Sequence, residues 1–365
     1  MATVEAYQLK SGKRYRVRYR TPENRQTDKR GFKTKREAER FANTVEVAKL
    51  KGEYINPADA RTTLDGLGEA WLERQKGHLK PSGYAVMETA WRVRVKPRWG
   101  TTALGDIKPT MVQAWLAELG QGTEDVKAIK APTVKRAHHV LQRILADAVN
   151  DNLISKNPAA GLALPRSLRK EHVYLNHKQV EALADAAVGE CRTLVLTLAY
   201  TGLRWGEVIG LRVGDLNLLR NRAVIQQNAV QSGTSIHLGT PKAHKQRSVP
   251  LPGFLVPMLA RQCENKGLGD LVFGDGAHLR RPHAVSGWFA KAVTSSAVPR
   301  VTPHDLRHTA ASLAVSAGAN IKAVQCMLGH ASATMTLDLY TDLFDDDLEA
   351  VAVALDLHRE QALAK

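Results

Sequence analysis

The stretch that decides the fold of this chain begins T-P-H-D-L-R-H at residues 302–308. It continues through a small-residue segment to L-G-H at 328–330 and reaches a tyrosine at 340. Thr302 suits a helix N-cap and Pro303 the first helical position. Asp305, three residues on, completes a capping box with aspartate in the usual place of glutamate. His304 and Arg307 then sit three apart on one face near the helix start. Gly318 ends that helix, Asn320 caps a short second one over I-K-A-V-Q-C-M-L, and Gly329 closes it, leaving His330 at a helix-end corner. A third short helix carries Met335, Leu337 and Tyr340. Two histidines, a guanidinium and a phenol delivered by helix ends are groups suited to one anionic centre.

The spacing of His304 and His308 is that of a helical metal pair. Arg307 lies between them, however, no H-E-x-x-H glutamate is present, and Cys191, Cys263 and Cys326 are widely scattered. No metal site and no cofactor are expected on this reading.

Two upstream segments belong with the first. T-G-L-R-W-G-E-V-I-G-L-R spans 201–212, where Gly202 breaks the apolar helix L-V-L-T-L-A-Y and Arg204 opens the next one, with Glu207 three residues on. T-P-K-A-H-K-Q-R-S-V-P-L spans 240–251 and reads as a turn feeding a strand, with Lys242 near the turn. Together these segments resemble the tyrosine recombinases of the phage-integrase family. Arg204 matches the family's first arginine, Lys242 its β-hairpin lysine (five before Arg247), His304 and Arg307 its H-x-x-R, His330 its L-G-H histidine and Tyr340 its nucleophile.

The resemblance implies a chemistry. Arg204 and Arg307 would clamp a phosphodiester, since a guanidinium fork binds two oxygens at once, and His330 would add a hydrogen bond. Tyr340 would attack, with His304 as base, because a phenol is a weak nucleophile until neighbouring groups favour its ionised form. Lys242 would protonate the leaving 5′-oxygen, with Lys245 as its rival, and Glu207 would orient Arg204 or brace the fold. The 3′-phosphotyrosyl link would store the bond energy, so neither ATP nor a metal is needed, and no Walker loop or carboxylate metal cluster is visible. The expected activity is site-specific DNA integration and excision at attachment sites by a homotetramer on double-stranded DNA, aided by host or phage DNA-bending and directionality factors. Two alternatives stand beside it. A type IB topoisomerase shares the tyrosine chemistry but not the L-G-H corner, the spacing to Tyr340 or the N-terminal unit; a DNA-binding regulator needs no nucleophile.

Composition agrees. The chain has 365 residues, a formal net charge of +16 and a pI near 9.8, which favours a polyanionic partner, nucleic acid before an acidic membrane. Its length suits two or three units. The scattered cysteines suit a reducing cytosol, and no signal peptide or spanning apolar run is seen, so the expected location is the cytoplasm of a bacterial host, with no membrane partner.

The expected fold is mainly α with small β-sheets. Residues 1–56 form a basic unit, in which Met1 to Ile55 carry 15 lysines and arginines against seven acidic residues. R-Y-R-V-R-Y-R at 14–20 alternates strictly, placing Tyr15, Val17 and Tyr19 on one face of a strand and Arg14, Arg16, Arg18 and Arg20 on the other. Val4–Leu9 is its hairpin partner and Gly31–Lys33 a short third strand. Thr34 and Glu37 box the start of a helix that packs through Phe41 and Val45. The resemblance implies an arm-type DNA-binding domain here, as in bivalent integrases of the mycobacteriophage kind. After a linker at Asn56–Asp59, residues 60–163 read as a helical core-binding domain. Leu64, Leu67, Trp71 and Leu72 share one face, and Pro109 starts a helix bearing Val112, Trp115, Leu116 and Leu119. Thr133 caps a long helix with Ala137, Val140, Leu141, Ile144, Leu145 and Ala148 inside and Lys135, Arg136, His139 and Arg143 outside. A basic linker at 165–172 leads to the catalytic domain, 172–355. It begins with an Asn176–Gln179 capping box and contains one small sheet (Arg222–Asn228, Ser235–Leu238, Arg247–Leu251). The acidic run Asp345–Asp347 and an apolar stretch, Leu348–Leu355, precede the tail at 356–365, and that stretch could dock on a neighbouring subunit.

Overall fold

The alternation at 14–20 forms a strand. The computed structural model describes residues 2–22, 24–51, 54–56, 58–122, 127–167, 172–233, 235–240 and 246–330, with 355–356, 359–360 and 363 beyond. Strands β1 (Thr3–Leu9), β2 (Gly12–Arg20) and β3 (Gln26–Phe32) form an antiparallel sheet in that order. The first hairpin closes at Leu9 opposite Gly12, so Lys10 and Ser11 alone make the turn. β3 is longer than the expected Gly31–Lys33, because Q-T-D-K-R carries no apolar alternation and is held by its register with β2, Arg20 opposite Gln26. Helix α1 (Lys35–Leu50) starts at the full Thr34–Glu37 capping box. Its Ala38, Ala42 and Val45 face Val17 and Tyr19 in a small core, with Tyr15 and Phe41 at its margin.

Helices α2 (Leu64–Lys76), α3 (Pro81–Ala90), α4 (Lys96–Trp99), α5 (Pro109–Gln121) and α6 (Ala131–Asn150) build a bundle with its own core. One π-helical turn, Trp91–Val95, joins α3 to α4 and buries Trp91. Gly68 of α2 makes room for that indole: a Cβ there would lie 2.1 Å from it. The expected apolar faces of α2, α5 and α6 are the buried ones. The cap of α6 differs from expectation. Lys130 is the N-cap residue and Pro132 lies in the first turn, so Thr133 is already inside the helix.

These elements belong to one compact unit, Met1–Leu168, and the rest to a second, Arg169–Lys365. The second begins with α7 (His177–Asp185), boxed by Asn176 and Gln179, and α8 (Glu190–Thr201). Leu194, Val195, Leu196, Leu198 and Ala199 of α8 are all buried, so this helix is enclosed nearly all round. There follow α9 (Trp205–Val208), β4 (Leu216–Asn217), β5 (Arg222–Ile225), β6 (Asn228–Ser232), β7 (Ser235–Gly239) and β8 (Arg247–Pro250). The described run closes with α10 (Leu255–Gln262), α11 (Trp288–Ser295), α12 (Asp305–Ser316) and α13 (Ile321–Leu328).

The single expected sheet is in fact two. β4-β5-β8 form one and the β6–β7 hairpin another. The break falls at Gln226–Gln227, whose amides turn away to Asp215 Oδ1 and Gly210 O. The expected helix bearing Met335, Leu337 and Tyr340, the run Asp345–Asp347 and the segment Leu348–Leu355, save Leu355 itself, lie outside the described residues, as do Lys242 and Lys245. Among the described residues no helix is long and apolar enough to cross a membrane.

Candidate active site

α8 stops at Gly202, whose φ of +63° is the left-handed conformation glycine tolerates. A Cβ there would also meet Leu328 Cδ2 at 2.5 Å, so the end of α8 and the end of α13 touch through a glycine. Arg307, on the first turn of α12 and only 4% exposed, fastens the same two ends. Its two terminal nitrogens donate to Gly202 O at 2.6 Å and Leu328 O at 2.5 Å. Both carbonyls belong to helix C-terminal ends, where a cation is favoured. The guanidinium the sequence offers as a phosphate clamp is therefore also the bolt between two helix ends.

α12 starts two residues later than the cap reading required. Asp305 is its first residue and His304 its N-cap, while Thr302 and Pro303 form a preceding turn. Asp305 still reaches back: Thr302 N–H and Thr302 Oγ1 both donate to Asp305 Oδ2 at 2.8 Å. The threonine hydroxyl thus donates to the carboxylate instead of accepting from the helix. α13 behaves as expected, with Asn320 accepting from Lys322 N–H and Gly329 left-handed at its end. His330 follows and is tied to Gln325 in both directions, its N–H to Gln325 O and its carbonyl from Gln325 Nε2, each at 3.2 Å.

Arg204 is the N-cap residue of α9. Glu207 holds it twice, accepting from its backbone N–H and from one terminal nitrogen, both at 2.9 Å. Arg247, at the start of β8, donates from both terminal nitrogens to the two oxygens of Glu207 at 2.9 and 2.6 Å, and from Nε to Met327 O at 2.9 Å. Glu207 is 1% exposed. Burial alone would raise its carboxyl, but Arg247 and then Arg204 outweigh that and hold it below the usual carboxylate range. Sequence reasoning missed Arg247, which it used only as a marker beside Lys242; its cue was an arginine leading a strand of otherwise small and apolar residues.

The two site imidazoles are kept neutral. His304 is lowered by burial and then by Arg307, and His330 falls to about 4 through burial and then Arg307, Arg204 and Arg247. These couplings bring four of the six expected groups, Arg204, His304, Arg307 and His330, into one neighbourhood. A cleft of about 740 Å³ opens there, lined by Arg204, Trp205, Asn228, Arg281, His304 and Asp305 among others. Imidazoles of lowered basicity and two guanidiniums are groups that can accept a proton and bind an anion.

In the N-terminal sheet, two arginines of the expected face, Arg16 and Arg18, share one carboxylate. Arg16 Nε and NH2 contact Glu5 Oε2 at 2.8 and 2.7 Å, Arg18 NH1 reaches Glu5 Oε1 at 3.3 Å, and Arg20 NH1 reaches Asn24 Oδ1 at 3.1 Å. Arg14 shares the face. Arg30 pairs with Asp28 and holds its carboxyl below the usual range. On α6, Arg136, His139 and Arg143 are exposed and Lys135 half-buried.

The comparisons with known proteins fall on the same residues. The phage integrase family matches residues 173–346, and an arm DNA-binding domain matches 7–48. The prophage phiRv2 integrase of Mycobacterium tuberculosis is 27% identical over 304 residues, 81% of this chain and 78% of that protein. The integrase of Mycobacterium phage D29 is 29% identical over 293 residues, 77% and 75% respectively. Among solved structures, the Tn1549 transposon integrase bound to transposon right end DNA superposes with a TM-score of 0.67 at 22% identity, covering 80% of this chain and 100% of that one. A lambda integrase dimer on a COC′ core site gives 0.60 at 19%, covering 92% and 94%. The chain belongs to the phage-integrase family of tyrosine-type, site-specific DNA recombinases.

Proposed function

We propose that this recombinase cuts and rejoins double-stranded DNA through a 3′-phosphotyrosyl link to Tyr340 and thereby integrates and excises a phage or mobile element at attachment sites. One observation carries the reading: Arg204 and His304 line one cleft of the family domain, and Arg307 and His330 lie within electrostatic reach of them. Arg204 and Arg307 grip the phosphate, and His330 donates a further hydrogen bond. His304, kept neutral by its surroundings, takes the tyrosine proton. Lys242 protonates the departing 5′-oxygen. Removing one preorganised donor of such a set costs roughly 10²–10³ in rate.

The finer assignments follow the same logic. Residues 1–56 bind arm-type DNA through Arg14, Arg16, Arg18 and Arg20. Residues 60–163 hold core-type DNA, with Lys135, Arg136 and Arg143 of α6 toward the phosphates, and residues 172–355 do the chemistry. Strand exchange between two duplexes needs four cleavages, hence four protomers; lambda integrase has been seen as a tetramer on a Holliday junction. The work is placed in the cytoplasm of a bacterial host, with DNA-bending and directionality factors as further partners. The test is a suicide substrate nicked near the cleavage site. The wild type should accumulate a covalent protein–DNA band on a denaturing gel, and Tyr340→Phe should bind the same DNA within a few-fold yet give no band. A band from the variant would remove Tyr340 from the role.

A further inference from the structure

A second cluster lines the same cleft and is given no role in the chemistry proposed above. His172, in the segment ahead of α7, meets Asp305 and His308 on α12, and one potential donor atom from each lies within 4.8 Å of the others. We propose that His172, Asp305 and His308 bind one divalent cation of the zinc type.

Three observations support this. First, Nδ1 of His172 and Nδ1 of His308 are both buried without a hydrogen-bond partner. Buried polar nitrogens are rarely left so, and in the Nε2–H tautomer each of these offers a lone pair without an acid to meet it. The two rings lie 4.3 Å apart between centroids. Second, the ligands are already oriented. The backbone N–H and the hydroxyl of Thr302 both donate to one oxygen of Asp305, the kind of outer support that fixes a ligating carboxylate. Leu175 N–H donates to Thr309 Oγ1 at 3.2 Å, which fastens the His172 segment to α12 without any ion. Third, the donor set selects the ion. Two imidazoles and a carboxylate, with a fourth position for water, form a common three-ligand zinc arrangement. Calcium and magnesium prefer all-oxygen shells. Ligands about 2.0–2.2 Å from a tetrahedral zinc lie closer together than the present donors, so the three side chains must close by about 1 Å. The nearby guanidiniums of Arg204 and Arg307 oppose a cation, and the Asp305 carboxylate offsets one of them.

Spacing in the sequence could not show this, because it offers His304 with His308, whereas the fold pairs His308 with a residue from the far end of the unit. A bound ion would pin the entry of the catalytic unit to the turn of α12 that bears His304 and Arg307. The inference rests on side-chain placement and does not depend on the roles assigned to Tyr340 or Lys242.

The experiment uses the full chain, stripped with a chelator, kept reduced and titrated with Co²⁺ as a spectroscopic probe and Zn²⁺ as competitor. The wild type should take up one Co²⁺ with the visible bands of a four-coordinate site and release it to Zn²⁺. Loss of an outer partner alone costs roughly 10–100-fold in metal affinity, so His172→Ala should cost about 100-fold or more. His172→Cys should restore binding and add a thiolate charge-transfer band, which guards against a variant that merely misfolds. Zn²⁺ should raise the melting temperature of the wild type and of His172→Cys, and not of His172→Ala. Equal uptake by wild type and His172→Ala, uptake with only weak six-coordinate bands, or no saturable uptake by the wild type would each overturn the proposal.

Discussion

Arg247→Ala is the perturbation that tests most directly how the site is braced. Glu207 is 1% exposed and Arg247 11%, and the pair is bidentate, with a third bond from Arg247 Nε to Met327 O. Removing one partner of a buried pair costs about 3–5 kcal/mol, because the other charge stays buried. Here Arg204 still contacts Glu207, which places the loss near the low end, while the orphaned Met327 carbonyl adds about 1 kcal/mol. The expected destabilisation is therefore about 3–4 kcal/mol. Urea unfolding gives the total. Hydrogen exchange over α9 and β8 localises it, which matters because a chain of two units need not unfold in one step. Cleavage should also fall, by up to about 100-fold, since the anchor of Arg204 becomes loose and a displacement near 1 Å can cost that much. The double variant with Glu207→Ala should be less destabilised than the two single losses combined, with a coupling of about 0.5–3 kcal/mol. A change within about 0.5 kcal/mol for Arg247→Ala, or strict additivity with Glu207→Ala, would refute the bracing argument.

Two further predictions concern pH and the N-terminal unit. His330 titrates at about 4 in the fold against 6.5 unfolded, held down by burial and by Arg307, Arg204, Arg247 and His304. The unfolded chain therefore binds the proton first, and the stability tied to the neutral ring is full above about 6.5 and lost as pH falls towards 4. After allowance for solvent around a half-buried group this is roughly 1–2 kcal/mol; His330→Gln should flatten the urea midpoint between those pH values, and an unchanged profile would contradict it. The fragment from Ala60 onward should still cleave a core site but lose a second, flanking DNA site, and its salt dependence should weaken by about 0.9 in log–log slope for each phosphate no longer contacted. Equal slopes for the fragment and the whole chain would show that the arginine face of β2 does not touch DNA.

Much of this molecule was legible because its punctuation is local. The boxes at Thr34–Glu37 and Asn176–Gln179 and the stops at Gly202 and Gly329 lie within a few residues of the groups they satisfy, so the sequence displays both partners together. Where the partner is distant, it does not. Glu207 and Arg247 are 40 residues apart, β3 is held by its neighbour and not by its own pattern, and the turn at Gln226–Gln227 depends on Gly210 and Asp215. No period or spacing records such pairs.

Arg307 shows the deeper limit. The H-x-x-R spacing identifies it as a cation for phosphate, and nothing in that spacing hints that both its terminal nitrogens also hold the carbonyl ends of α8 and α13. A guanidinium has five N–H donors, more than these two bonds to helix ends require. The arrangement has a physical consequence. The helix ends carry partial negative charge, which keeps the cation in place before any substrate arrives and removes the reorganisation that a free side chain would need. Arg204 is prepared the same way by a full carboxylate, Glu207. Both guanidiniums are thus held by acceptors that the fold itself supplies, Glu207 for Arg204 and two helix-end carbonyls for Arg307.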